Sequence, residues 1–319
     1  VSIELPFDPF PLFPGSHQQT IIGTIFHLHR QPLSFRKLVQ LPDNDQLALE
    51  VTTPEDWKKT DPTVIMIHGL CGSHRSPYLV RMTKLLEKRG IRAIRLNLRG
   101  CGSGKGLAKN IYHSGVSDDV LEILKALQLE TPSSPMVLMG FSMSGNIVLK
   151  LAAELQEKAG QFLQKVIALN PPIDLSSSAE LLSMRKNRIY ELYFMRHLRA
   201  DISFRHRTFP DLEPFHFPRN MRFTDFENDY VAPQCGFNDA EDYRQKSSSY
   251  KIIPNITIPC EILFSKDDPI ICSTTLDGVI LPDNINLYKT NKGGHMGYLG
   301  RRRFHWMDQV LMSWIESSF

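Results

Sequence analysis

A serine, a pair of adjacent aspartates and a histidine stand in that order along the chain, each just after an apolar run. Ser142 lies in Gly140-Phe141-Ser142-Met143-Ser144-Gly145. It follows Met136–Met139, which reads as a strand, and precedes Asn146–Glu157, which reads as a helix. A sharp strand-to-helix turn lifts a serine hydroxyl clear of a sheet and leaves little room on either side of it. Gly140 supplies that room on one side, and on the other Ser144 stands where glycine is usual. Lys266-Asp267-Asp268-Pro269 follows the strand-like Cys260–Phe264, and Gly293-Gly294-His295 follows Ile285–Lys289. A neutral imidazole can take the serine proton, and a carboxylate can hold the imidazole in the required tautomer.

Only one of the two aspartates can serve His295. Asp268 lies three positions beyond the small Ser265 and is followed by Pro269, a register that assigns it as the acid. Asp267 then reads as a loop-capping carboxylate. His68-Gly69-Leu70 ends another apolar run, Thr63–Ile67. A backbone N–H just beyond such a strand, here that of Leu70, can pair with the Met143 N–H to hold a developing oxyanion. Nucleophile, base, acid and two donors are the parts of an acyl-transfer site.

The elements needed to position them are legible. Arg36–Leu41 and Gln46–Thr52 alternate around Pro42-Asp43-Asn44-Asp45, as in an antiparallel pair. Strands at Thr63–Ile67, Ile91–Asn97, Met136–Met139 and Lys165–Asn170 alternate with helices at Pro77–Arg89, closed by Gly90, and after Ser117, read as its cap, with Val120, Ile123, Leu124 and Leu127 on one face. This β-α-β-α rhythm predicts an α/β fold, a mostly parallel sheet with helices on both faces. The rhythm breaks between about Asp174 and Tyr250 and resumes at Cys260. The expected organisation is a core of residues 1–173 and 251–319 with a cap inserted at 174–250. Phe304–Ser317 reads as a closing helix, and the segment rich in Pro and Phe from Pro6 to Pro14 as an extended strap over the surface.

Composition narrows the classes. The 319 residues are 42% hydrophobic and 22% charged, with 37 basic against 34 acidic residues. That near balance gives no reason to expect nucleic acid as a partner. Five scattered cysteines without a C-x-x-C pair indicate neither a disulfide framework nor a zinc site, so a reducing, cytoplasmic setting is expected. No apolar run reaches bilayer length, and the start lacks the features of a signal peptide. His17, His27, His29, His197 and His206 form no metal-ligand set, and His113 is expected to hydrogen-bond within its loop. Cys71 and Cys101 read as small packing residues. The stretch Arg185 to Arg207 holds seven basic and two acidic residues with Tyr190, Tyr193 and Phe194, and reads as a solvated helix face rather than an anion or membrane patch.

Several short motifs together resemble the YheT-like α/β-hydrolases, the fourth AB-hydrolase family, over nearly the whole chain. They are His17-Gln18-Gln19-Thr20, Leu41-Pro42-Asp43-Asn44-Asp45, His68-Gly69-Leu70-Cys71-Gly72-Ser73 and Asn97-Leu98-Arg99-Gly100-Cys101-Gly102. Tyr112-His113-Ser114-Gly115, Gly140-Phe141-Ser142, Gly236-Phe237, Asp267-Asp268-Pro269 and Gly293-Gly294-His295-Met296-Gly297-Tyr298 complete the set. The resemblance implies the α/β-hydrolase fold and an esterase or lipase-like enzyme without cofactor or metal, acting on small-molecule esters or lipids of short to medium acyl chain. Ser144, Asn44 and Arg244 depart from the family pattern. Acyl transfer to an alcohol uses the same acyl-enzyme and stays open beside hydrolysis. A non-catalytic binding protein on this scaffold is the reading of a different class.

Overall fold

The structure, a computed structural model, describes residues 2–25 and 30–319. In chain order its elements begin β1 (Ile3–Glu4), α1 (Ser16–Ile25), β2 (Phe35–Gln40), β3 (Gln46–Thr52), β4 (Thr63–Ile67), α2 (Pro77–Lys88) and β5 (Arg92–Asn97). Then come α3 (Ser117–Glu130), β6 (Met136–Phe141), α4 (Met143–Leu155) and β7 (Lys165–Leu169). The helices α5 (Leu175–Ser183), α6 (Arg188–Thr208), α7 (Phe223–Phe226), α8 (Ala232–Gln234) and α9 (Ala240–Ser247) fill the stretch before β8 (Cys260–Ser265). β9 (Ile285–Thr290) and α10 (Trp306–Glu316) close the chain.

The strands form one sheet in the order β1-β9-β8-β7-β6-β4-β5-β3-β2. β2 and β3 pair antiparallel, as does β3 with β5, and the remaining ladders are parallel. The central strands read as unbroken apolar runs because both faces are covered. In β4, Ile65 and Ile67 join the core shared with α3 and α4, while Val64 and Met66 join the core shared with α2 and α10.

Three sequence expectations need correction. Ser117 is the first residue of α3 rather than its cap, and its hydroxyl donates to Glu154 (2.6 Å). The helix after Ser142 starts at Met143, three residues before the expected Asn146. The N-terminal strap is extended, but it also joins the sheet: Ile3 and Glu4 pair with Tyr288 and Lys289, and Phe7 packs edge-on against Tyr298 and Trp306. It leads into α1, which the sequence reading did not anticipate.

Arg99, in the loop after β5, ties distant loops together. Its guanidinium takes both carboxylate oxygens of Asp119 at 2.6 Å, and Asp43 (2.5 Å) and Asp45 (2.6 Å) from the β2–β3 turn. Asp45 also accepts the backbone N–H groups of Lys109 and Asn110. His68, fully buried at the end of β4, joins two neighbouring strand ends. Leu98 N–H donates to its Nε2 (3.2 Å), so Nδ1 carries the proton and donates to Gly69 O (2.8 Å). His113 accepts the Gly115 N–H at Nδ1 (3.1 Å), as a loop-ordering histidine should.

Two outcomes follow from these buried groups. Arg99→Met removes the one cation paired with the buried Asp45 and Asp119 carboxylates among the described residues, and should cost about 3–5 kcal/mol of stability in urea unfolding. A loss under 1 kcal/mol would contradict this hub. Burial pulls His68 and His113 down to about 4, whereas an unfolded histidine titrates near about 6.5. Between those values the unfolded chain binds more protons, so this stability is complete above the unfolded value and is lost as pH falls toward 4. Glu227, pushed up to about 7 by burial, acts in the opposite sense, as do the raised Asp119 and Asp201, while the lowered His74 and His206 act with the two histidines. The urea midpoint should therefore drop on acidification through this window, and a rising midpoint would show that the histidines do not dominate.

Candidate functional site

The turn from β6 into α4 holds Ser142 at φ 52° and ψ −122°, a left-handed conformation that a side chain adopts only under compulsion. The compulsion is backbone bonding on both sides: Ser142 N–H donates to Leu169 O (2.8 Å), and Gly145 N–H donates to Ser142 O (2.7 Å). A Cβ at Gly140 would stand 2.1 Å from Ser144 O, so only glycine fits there. Ser144 is tolerated in place of the usual glycine because its hydroxyl donates to His68 O, tying the elbow to the end of β4.

Ser142 Oγ lies 2.8 Å from His295 Nε2. His295 is carried by the loop after β9, which presses on α1. Its N–H donates to Thr20 Oγ1 (2.8 Å). A Cβ at Gly294 would meet Ser16 O at 2.4 Å, and one at Gly297 would meet Gln19 O at 2.4 Å. Gln19 is fully buried; its amide donates to Phe13 O (2.7 Å) and Leu299 O (3.0 Å) and accepts Leu299 N–H (2.7 Å).

His295 Nδ1 lies 2.8 Å from Asp268 Oδ2. That oxygen also accepts from the Asn170 amide (2.7 Å), while Oδ1 accepts the N–H groups of Ile270 and Ile271, each at 3.0 Å. The Asp268 side chain is wholly buried, so these donors stand in for water around the carboxylate. Asp267 turns away. Its Oδ1 accepts from Ser265 Oγ (2.6 Å) and Gly294 N–H (2.8 Å), the loop-capping work expected of it.

The backbone after β4 runs against the elbow: a Cβ at Gly69 would stand 3.0 Å from Ser142 Cβ. Tyr78 OH accepts the Gly69 N–H (3.0 Å), and Tyr112 OH accepts the Cys71 N–H (3.2 Å), fixing the peptides on both sides of Leu70. Met143 N–H heads α4, where a helix has no acceptor of its own to offer. Leu70, Ser142 and Met143 share one pocket with apolar side chains of α5 and α6, among them Leu175, Phe194 and Leu198.

Asn170, Tyr298, Thr20 and Gln19 were missed as site residues. Tyr298 OH donates to Asn170 Oδ1 (2.7 Å), which turns the Asn170 amide toward Asp268. The signals were a polar residue ending an apolar strand and the His17-Gln18-Gln19-Thr20 motif, whose partners lie far away in the chain. Among the described residues no cluster of His, Cys, Asp and Glu could hold a metal ion. His27 and His29 lie outside the described residues. Burial raises the Cys71 and Cys101 thiols, which keeps them protonated.

Comparison with known proteins agrees with this architecture. Over 320 aligned residues the chain is 26% identical to "Putative esterase YheT" of Escherichia coli, covering 98% of this chain and 93% of that protein. It is 27% identical to the monoacylglycerol lipase of Saccharomyces cerevisiae, over 78% of this chain and 58% of that protein. Among solved structures, Est1E of Butyrivibrio proteoclasticus, bound to ferulic acid, superposes with a TM-score of 0.57 at 14% identity, covering 88% of this chain and 98% of that one. The family model described as the alpha/beta hydrolase fold matches residues 62–299, and the chain belongs to that family.

Proposed function

We propose that the chain is a serine hydrolase of carboxylic esters, acting through an acyl-enzyme on Ser142. The observation that carries this is the unbroken relay from Ser142 Oγ to His295 to Asp268, at 2.8 Å for each step, with Ser142 on the wall of an apolar pocket. In this reading Ser142 Oγ attacks the ester carbonyl as its proton passes to His295 Nε2. Negative charge grows on the carbonyl oxygen, and the Leu70 and Met143 N–H groups receive it. Collapse breaks the bond to the alkoxide, which leaves with the proton from His295. Water, deprotonated by the same imidazole, then attacks the acyl-enzyme and frees Ser142. Asp268 stays ionised and stabilises the imidazolium. The apolar lining suits an acyl chain, and residues 174–250 act as the cap that selects it. The similarity to proteins named esterase and monoacylglycerol lipase supports this substrate class.

Ser142→Ala should abolish hydrolysis of p-nitrophenyl esters and labelling by a fluorophosphonate, with the unfolding midpoint held. Turnover surviving in a folded variant would move the nucleophile elsewhere.

The two aspartates should separate cleanly. Asp268→Asn turns an amide toward donors that need an acceptor, those of Asn170, Ile270 or Ile271, and takes the charge from His295. Activity should fall by about 10⁴, as when the orienting carboxylate is lost in serine proteases. Asp267→Asn keeps an oxygen for Ser265 and Gly294 and should retain most of the activity. Measured kcat values in the reverse order would move the acid to Asp267.

A further inference from the structure

The outer face of α6 and the turn leading into it are built differently from an ordinary solvated helix face. Between residues 184 and 200 the exposed positions are Met184, Arg185, Lys186, Ile189, Leu192, Tyr193, Arg196, His197 and Ala200. They are apolar, aromatic or basic, and not one is acidic. Ile189 (58% exposed), Leu192 (54%) and Tyr193 (45%) are neighbours at helical spacing, and Met184 (43%) precedes them. Folding does not require them outside, because the inner face of the same helix already supplies Phe194, Leu198 and Ile202 to the pocket. The acid within this stretch, Glu191, is buried and held by Arg188, Arg222 and the Phe223 N–H. Arg185, Lys186 and Arg196 make no ion pair among the described residues, and the acids Glu180 and Asp201 lie beyond its two ends.

The opposite, buried side of this helix adjoins the catalytic residues. Asn187, at the start of α6, donates to Pro269 O (2.6 Å), one residue from Asp268. Tyr190 OH pairs with His17 Nδ1 (2.7 Å) on α1, the helix that holds the His295 loop.

We propose that the 184–196 face of α6 docks the protein on an anionic phospholipid bilayer, with the pocket beside the lipid from which its ester is drawn. The choice of substrate rests on the ester reading above; the docking does not. An interfacial helix combines aliphatic and aromatic side chains that enter the headgroup boundary with Lys and Arg that meet anionic headgroups. A second copy of the chain is a poor occupant, because a two-fold contact would set the same cations against each other. An acidic protein would satisfy the cations but not the four large apolar groups among them.

The test is flotation of the Ser142→Ala protein with vesicles of phosphatidylcholine alone or mixed with phosphatidylglycerol. Binding should require phosphatidylglycerol and weaken with added salt. Arg185→Glu with Lys186→Glu should lower it roughly tenfold or more. Ile189→Ser with Leu192→Ser should do likewise, since lipid contact and charge act together. The same pairs placed in the protein with Ser142 intact should leave turnover of a short, soluble ester unchanged, which shows that fold and site survive. Absence of flotation, flotation indifferent to either pair, or capture by an acidic protein without vesicle binding would overturn the proposal. If the parent protein turned over no ester while flotation behaved as expected, the ester reading would fail and the docking surface would stand.

Discussion

Ser142 Oγ and His295 Nε2 stand 2.8 Å apart, the separation that the proposed proton transfer would need, yet the two residues leave the sheet on β6 and β9, with β7 and β8 between them. Adjacent strands lie about 4.8 Å apart, so roughly 14 Å separates the two strand ends. The fold closes that gap by drawing one polar group from each successive strand end. Ser142 follows β6, Asn170 follows β7, Asp268 follows β8 and His295 follows β9. Asn170 and Asp268 are bonded to one another, and Asp268 to His295, so the relay crosses the sheet edge as a continuous chain. Each link is at least partly buried, and each depends on its neighbours for orientation.

The His295 loop could not keep this position from the sheet alone. Its outer side rests on α1, where the main chains come so close that a Cβ at Gly23 would stand 2.8 Å from Gly297 Cα. Gln19 spends every hydrogen bond of its buried amide on the strap at Phe13 and the loop at Leu299, and Thr20 takes the His295 N–H. Residues 2–25 therefore form part of the site's scaffold, although they lie outside the span matched by the family model. Pairing of Ile3 and Glu4 with β9 fixes the other end of the strap to the strand that carries the histidine.

What the sequence revealed follows from where its information is local. Elbow, strand ends and the order of Ser142, Asp268 and His295 were readable because each depends on a few adjacent residues and on one periodicity. Asp268 was separable from Asp267 by register, since neighbouring residues in an extended turn point apart. Asn170, Tyr298, Gln19 and Thr20 were not readable, because their roles depend on partners about 100 to 280 residues away: Asn170 on Asp268, Gln19 on Leu299, Thr20 on His295. α1 was missed for a related reason. It lacks a strong apolar stripe of its own and is held by close backbone contact and buried polar bonds.

Arg244 shows how a departure from a family pattern can be absorbed. It is one of the three positions at which the sequence departs from the pattern it resembles. In the structure it donates to Glu227 Oε2 (2.9 Å), and Glu227 lines the same pocket as Ser142. The Glu227 carboxylate therefore does not face the apolar lining unpaired. An unpaired buried carboxylate there would cost several kcal/mol, and pairing recovers much of that without making the wall apolar. Glu227 uses one oxygen for Arg244, and burial pushes its carboxyl up to about 7 even so. If the pocket takes an acyl chain as proposed, Glu227 would penalise apolar contact at its position and so limit where along the pocket a long chain could lie.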